Sequence, residues 1–189
     1  MKLGIPKKKA LEILYKVFRI KGLDDPLIFQ KFLQKVVGKV DYKKLAYGIV
    51  AYRKVRSSYL HPYPGTRMVL SELKKKGLRL AIISNAPKLK AWLRLAALRI
   101  DDYFDVIITA DDVSRDKPSR LVFRTALRKL KLKPSSCLMV GDKPHIDIIV
   151  PNQIGMKTCF AKYGYMGEDI PKVEADFVID NITELVKIV

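Results

Sequence analysis

The chain has few cysteines, few acidic residues and no long apolar run, and each shortage excludes something. Two cysteines in 189 residues cannot build the disulfide framework of a small secreted domain. Cys137 and Cys159 both fall in apolar, strand-like runs, where a thiol is expected to be buried and reduced. No stretch reaches the roughly 18 consecutive apolar residues of a membrane-spanning helix. Met1 to Pro6 leads straight into Lys7-Lys8-Lys9, without the apolar stretch of a secretion signal. A cytoplasmic location is therefore the expectation. Asparagine and glutamine are scarce beside abundant lysine and arginine, as in hyperthermophile proteins, although the charge is too one-sided for balanced ion-pair networks. Only 19 Asp+Glu stand against 37 Lys+Arg, a net charge of +18.

What is present suffices for a core, since 49% of the residues are apolar. No internal repeat, low-complexity segment or linker interrupts it. Residues 1–60 read as consecutive amphipathic helices. Pro6 in a first turn leads Ala10, Leu11, Ile13, Leu14, Val17 and Phe18, closed by Gly22. Pro26 leads Ile28, Phe29, Phe32, Leu33, Val36 and Val37, closed by Gly38. Asp41 then caps the pattern Leu45, Ala46, Ile49, Tyr52, Val55. From residue 61 the pattern changes to strands alternating with helices, with strands near 78–84, 105–109, 137–142, 157–160 and 175–179. That alternation predicts an α/β fold with a doubly wound parallel sheet in residues 61–189, next to a small helical domain in residues 1–60.

The charge follows the same division. Residues 1–60 hold 15 Lys+Arg against 4 Asp+Glu, and residues 61–189 hold 22 against 15. A basic face with Tyr15, Tyr42, Tyr47, Tyr52 and Tyr59 is one footprint for nucleic acid. Most of these tyrosines lie on or near apolar stripes, however, where packing into a core with the hydroxyl at the surface is the ordinary role. A solvated lysine-rich surface that draws in phosphorylated substrates is the preferred account.

Three loops carry the chemistry. The apolar run Cys137 to Val140, bounded by Pro134-Ser135-Ser136 and Gly141, reads as a buried parallel strand. Beyond it, Gly141-Asp142 and Asp147 put two carboxylates on one loop, at the strand end where open α/β sheets bind ligands. Hard oxygen ligands so placed suit Mg²⁺ holding a phosphate, although a lone aspartate after a strand is more often a turn or cap residue. A second apolar strand, Leu78 to Ile83, delivers Ser84-Asn85-Ala86-Pro87, and Asp116-Lys117-Pro118 precedes the helical pattern Leu121, Val122, Phe123, Ala126, Leu127, Leu130. A hydroxyl, an amide, a lysine and paired carboxylates are the groups a phosphoryl ligand needs, whereas singly Ser84 reads as a helix cap and Lys117 as a solvated charge.

In this order the loops resemble motifs two, three and four of the haloacid dehalogenase (HAD) superfamily of phosphohydrolases. The resemblance runs from about Pro62 to the C-terminus and includes the Pro64-Gly65 turn ahead of Leu70 to Gly77. It implies a helical cap in residues 1–60 that covers the site and selects the substrate. It further implies an aspartyl-phosphate mechanism on a small phosphorylated metabolite. Ser84 would bind a phosphoryl oxygen, Asn85 would fix the neighbouring loop, and Lys117 would neutralise charge. Asp142 would bind Mg²⁺ directly, and Asp147 would support it or bind through water. Retention of Asp142 with Asp147 favours a phosphatase over the metal-free dehalogenases.

The sequence also departs from that pattern. The family opens with a strand ending in Asp-x-Asp, and no Asp-x-Asp occurs here: Asp24-Asp25, Asp101-Asp102 and Asp111-Asp112 are adjacent pairs. In the family that strand is the central one, so its absence predicts a gap of roughly 9 to 10 Å between the strands ending at Ser84 and Asp142. The expectation is a chain incomplete at its N-terminus and inactive by itself, with the apolar edges of those two strands self-associating or pairing directly with each other. A non-catalytic relative that binds phosphorylated ligand or nucleic acid is the alternative, and a half-protein completed by another chain is a third. Val150-Pro151 stands where relatives carry small residues, and an interior helix proline costs about 3 kcal/mol unless it falls in the first turn, which puts the role of Asp147 in question. His145 next to it reads as a solvated loop residue rather than a ligand.

Overall fold

A computed structural model describes the chain apart from residues 1–5, 22–24, 26, 114–116 and 168–171, and apart from the side chains of 18–21 and 56–57. Gly22, Asp24, Pro26 and Asp116 therefore lie outside the described residues. The chain forms two compact units, Met1–His61 and Pro62–Val189.

The first unit contains α1 (Lys7–Lys21), α2 (Ile28–Val37) and α3 (Tyr42–Tyr59). Gly38 ends α2 in the left-handed conformation at φ 76°, its N–H donating to the Gln34 carbonyl. Asp41 caps α3 as expected, its carboxylate accepting from Lys44 N at 3.1 Å. Phe32, Leu33 and Leu45 form the small core, with Leu14, Phe29 and Ile49 packed around it. The tyrosines are a correction to the expectation from sequence: Tyr15, Tyr42, Tyr47, Tyr52 and Tyr59 are all exposed, by 37% at Tyr52 and 82% at Tyr59. The reason is geometric. The apolar residues of α3 are spread around its circumference, so Leu45 is buried, Ile49 packs beside it and Tyr52 keeps an edge contact with Phe29, while Val50 and Val55 face solvent.

The second unit runs α4 (Thr66–Lys75), β1 (Ala81–Ile83), α5 (Lys88–Leu98), β2 (Val106–Ile108), α6 (Arg120–Leu130), β3 (Leu138–Gly141), α7 (Ile149–Gln153), β4 (Lys157–Ala161), β5 (Phe177–Ile179) and α8 (Leu185–Ile188). Every ladder is parallel, and each strand falls within or beside a segment predicted from sequence. The fold is α/β, with the strands divided between two sheets, β1-β2 and β3-β4-β5. Direct pairing of β1 with β3 does not occur. Both strands are half-buried along their whole length, whereas Thr158 to Ala161 of β4 are at most 5% exposed.

Helix α4 contributes to the core clusters of both sheets. Its Val69 and Leu73 join Cys159, Ala161, Ile179 and Leu185 in one core cluster, while Leu70 joins Leu95 and Ile100 in another, and Leu80 touches both. Helix α6 packs against β1, β2 and α7, burying Val122, Phe123, Ala126, Leu127 and Leu130, while Leu121 stays exposed. Gly65, which begins α4, is required: its φ is +80°, and a Cβ there would lie 2.5 Å from Thr183 Cγ2. Cys137 is half-buried and Cys159 fully buried; burial pushes the Cys159 thiol up to about 11.

Candidate active site

The C-terminal ends of β1 and β3 are joined by a chain of polar contacts through the loop before α6. Asn85 lies just beyond β1. Its side-chain amide donates to the Lys117 carbonyl at 3.0 Å and accepts from the Lys117 N–H at 2.8 Å, as a neighbouring strand would. Held this way, Lys117 sends its ammonium to Asp147 Oδ1 at 2.6 Å. The other carboxylate oxygen, Asp147 Oδ2, accepts from the Lys143 N–H at 3.2 Å. The ion pair is enclosed, with side-chain exposures of 12% for Lys117 and 4% for Asp147. The Lys117-Pro118 peptide is cis.

Gly141 makes room for this arrangement. A Cβ at that position would fall on the Asp147 side chain, 2.5 Å from its Cγ. The glycine thus serves the carboxylate packed over it rather than an unusual backbone angle. Asp147 lies in a π turn, Pro144–Ile148, after which α7 begins at Ile149. The turn bears on Pro151, which is buried as the third residue of α7, close to the junction where the wider π turn passes into the α-helix. His145 is exposed on the same turn.

Ser84 is half-buried at the end of β1. Its Oγ accepts from the Ala86 N–H at 3.1 Å, which leaves the hydroxyl proton free to donate elsewhere. Asp142 has no hydrogen bond or ion pair to any described residue. Gly164 leaves it space, since a Cβ there would lie 2.8 Å from Asp142 Cβ. Nearby Tyr163 makes an edge contact with Tyr63 at 4.8 Å, and its hydroxyl is pushed up to about 12, chiefly by burial and further by the charges of Tyr63, Cys159 and Asp142. Gly164, Tyr163 and the Lys143 N–H were not singled out from the sequence. Only the turn-like Tyr163-Gly164-Tyr165 run could have signalled them.

The donor set bears on magnesium. Among the described residues no group of three His, Cys, Asp or Glu side chains converges. Mg²⁺ is commonly held by one or two carboxylates, with water and substrate phosphate completing the octahedron. Asp142 fits that requirement as a single open carboxylate, while Asp147 is first of all the counter-ion of Lys117. The adjacent acidic pair Asp111-Asp112 is structural: Asp111 caps Lys88 N at 2.8 Å, and Asp112 accepts from the Thr109 N–H, the Thr109 hydroxyl and Lys88 Nζ.

With this geometry in place, residues 15–161 match the family model described as haloacid dehalogenase-like hydrolase. The chain belongs to that family. It is 34% identical over 190 residues to a glyceraldehyde 3-phosphate phosphatase of Methanocaldococcus jannaschii, covering 99% of this chain and 82% of the relative. It is 32% identical over 181 residues to the protein of the same name from Pyrococcus furiosus, covering 95% and 75%. Among solved structures, a HAD phosphatase from Thermococcus onnurineus superposes with a TM-score of 0.68 at 29% identity, over 98% of this chain and 82% of that one. A 2-haloacid dehalogenase from Pseudomonas syringae shares the fold at TM-score 0.63 and 24% identity, over 98% and 82%. This HAD-like hydrolase thus has phosphatases among its relatives.

Proposed function

We propose that this HAD-like hydrolase handles a small phosphorylated metabolite as a Mg²⁺-dependent phosphatase, with Ser84, Asn85, Lys117, Asp142 and Asp147 as its site. The observation that carries the proposal is the Asn85–Lys117–Asp147 bridge, which holds one ammonium between the ends of β1 and β3. A phosphoryl group bound there would meet that ammonium and the Ser84 hydroxyl proton. Asn85 would act by positioning Lys117, and Asp147 by keeping its ammonium aimed. Asp142 is the residue to hold Mg²⁺, which would supply charge neutralisation at the phosphoryl oxygens. Glyceraldehyde 3-phosphate, for which the archaeal relatives are named, is the first substrate to try. The attacking carboxylate of an aspartyl-phosphate route would have to come from an Asp-x-Asp strand, which this sequence lacks. Among the described residues β1 and β3 each pair on one side, and their other edges would be open to self-association.

The test has two arms. Isothermal titration with orthophosphate and Mg²⁺ is expected to give saturable binding that Lys117→Ala abolishes; absence of binding by the parent chain would sink the site. Hydrolysis of p-nitrophenyl phosphate or glyceraldehyde 3-phosphate is expected to be undetectable, and to appear when an apolar strand ending in Asp-x-Asp is fused ahead of residue 1. Turnover by the unextended chain, lost in Asp142→Asn, would overturn the argument from the missing nucleophile.

The exposure of Tyr15, Tyr42, Tyr47 and Tyr59 on a unit of such excess positive charge supports a second reading, single-stranded nucleic acid bound by stacking and phosphate contacts. Fluorescence anisotropy with a labelled oligonucleotide decides it. Salt-sensitive binding that weakens on replacing Tyr42 and Tyr59 with alanine is expected, and no binding at low salt would dismiss it.

A further inference from the structure

The helical unit contains a cavity of about 710 Å³, within the range of small-ligand sites. Its wall is almost wholly apolar, made by Leu14 of α1, by Phe29, Phe32 and Leu33 of α2, and by Leu45 of α3. Two cations, Lys43 and Lys44, also line it. Lys44 lies 3.7 Å from Asp41, and Lys43 has no acidic partner among the described residues. The remaining wall is Tyr47, Gly48 and Ala51 of α3.

Gly48 is the informative member. It sits in the interior of an 18-residue helix, where glycine is less favourable than any residue but proline. No close approach demands it, because a Cβ built there meets nothing within 4 Å, and its φ is ordinary. What the missing side chain does is leave the cavity open. An apolar chamber lined by small residues on one side, with cations among its lining, is complementary to a molecule that is greasy at one end and anionic at the other. The excess of Lys+Arg over Asp+Glu in residues 1–60, 15 to 4, points the same way.

We infer that this cavity is a binding site for an amphiphilic organic anion, with its hydrocarbon part among Leu14, Phe29, Phe32, Leu33 and Leu45 and its anionic head on Lys43 and Lys44. The site belongs to the helical unit alone and goes beyond the phosphatase proposal. A sulfonate probe, which no phosphatase consumes, keeps the two separable.

The experiment is calorimetric titration of the full chain with 1-decanesulfonate, and with 1-decanol as the uncharged control. The expected result is saturable binding of one sulfonate per chain. Gly48→Leu, which fills the chamber with a good helix former, should abolish binding of both probes while raising Tm. Lys43→Ala/Lys44→Ala should weaken the sulfonate by about tenfold or more, as for the loss of charge-assisted contacts, and leave decanol unchanged. Circular dichroism establishes that each variant is folded. Non-saturable binding, or sulfonate affinity unchanged in Gly48→Leu, would overturn the inference. So would a dimer that Gly48→Leu converts to monomer, since a second copy would then be the occupant.

Discussion

Lys117 and Asp147 lie 30 residues apart in sequence and 2.6 Å apart in space, enclosed on nearly all sides. Removing one member of such a pair leaves a buried charge uncompensated. Lys117→Ala is therefore expected to lose about 3–5 kcal/mol of stability, and Lys117→Ala/Asp147→Ala to recover part of it. Urea titrations of the parent, both single variants and the double variant check this, and a double variant as unstable as the sum of the singles would deny the pairing. A second residue sets an acid limit. The Thr109 hydroxyl, then the Thr109 N–H and Lys88, hold the Asp112 carboxyl down at about 2 against the opposing effect of burial. A depressed folded-state value means that the stabilisation is complete above the ordinary value of 3.8 and is lost as pH falls through about 2. Asp112→Asn should accordingly lower the urea midpoint at neutral pH and flatten its fall between pH 4 and pH 2. A parallel offset at every pH would refute the linkage. The sequence showed Lys117 as a lysine ahead of a helix and Asp112 only as one of an adjacent acidic pair, and it showed neither partner: an ion pair closed across 30 residues, or a carboxylate folded back onto Thr109, depends on how the loops cross.

At the level of elements, hydrophobic periodicity and punctuation located nearly everything. Asp41 and Gly38 bound their helices as read, and each strand emerged as an apolar run. Two things escaped. Tyrosines read as lying on or near apolar stripes are exposed, and for Tyr42, Tyr47, Tyr52 and Tyr59 the reason is that α3 carries apolar residues around its circumference, of which α1 and α2 cover only part. Whether Pro151 falls inside a helix or in its first turn stayed open, because a π turn cannot be told from an α-helix by apolar spacing; the π turn Pro144–Ile148 puts it third in α7. The distinction is measurable. An interior proline replaced by alanine would stabilise the protein by about 3 kcal/mol. In the first turn, Pro151→Ala should instead destabilise by less than about 1 kcal/mol, through the added freedom of the unfolded chain. Thermal unfolding of this one variant separates the two.

For the whole molecule, the division of the described strands between two sheets is the dominant feature. The sequence implied a vacancy between the strands ending at Ser84 and Asp142 but could not say whether those strands would close on each other. They stay in separate sheets: α4 packs into the core clusters of both, α6 packs against β1, β2 and α7, and the Asn85–Lys117–Asp147 bridge fixes their ends. Among the described residues β1 and β3 therefore each pair on one side only, with apolar side chains left half-buried. Short, flat, apolar edges of this kind template pairing with another chain, and nothing in Leu80-Ala81-Ile82-Ile83 or Leu138-Met139-Val140 supplies the charge or proline that would deter it. The expected behaviour is association that grows with protein concentration, read by size-exclusion chromatography with light scattering. Amides at 81–83 and 138–140 should exchange quickly in the dilute species and slowly in the associated one. A monomer at every concentration, with those amides already protected, would mean that the edges are covered within the chain itself, and would remove both the self-association and the vacancy on which the predicted lack of turnover depends.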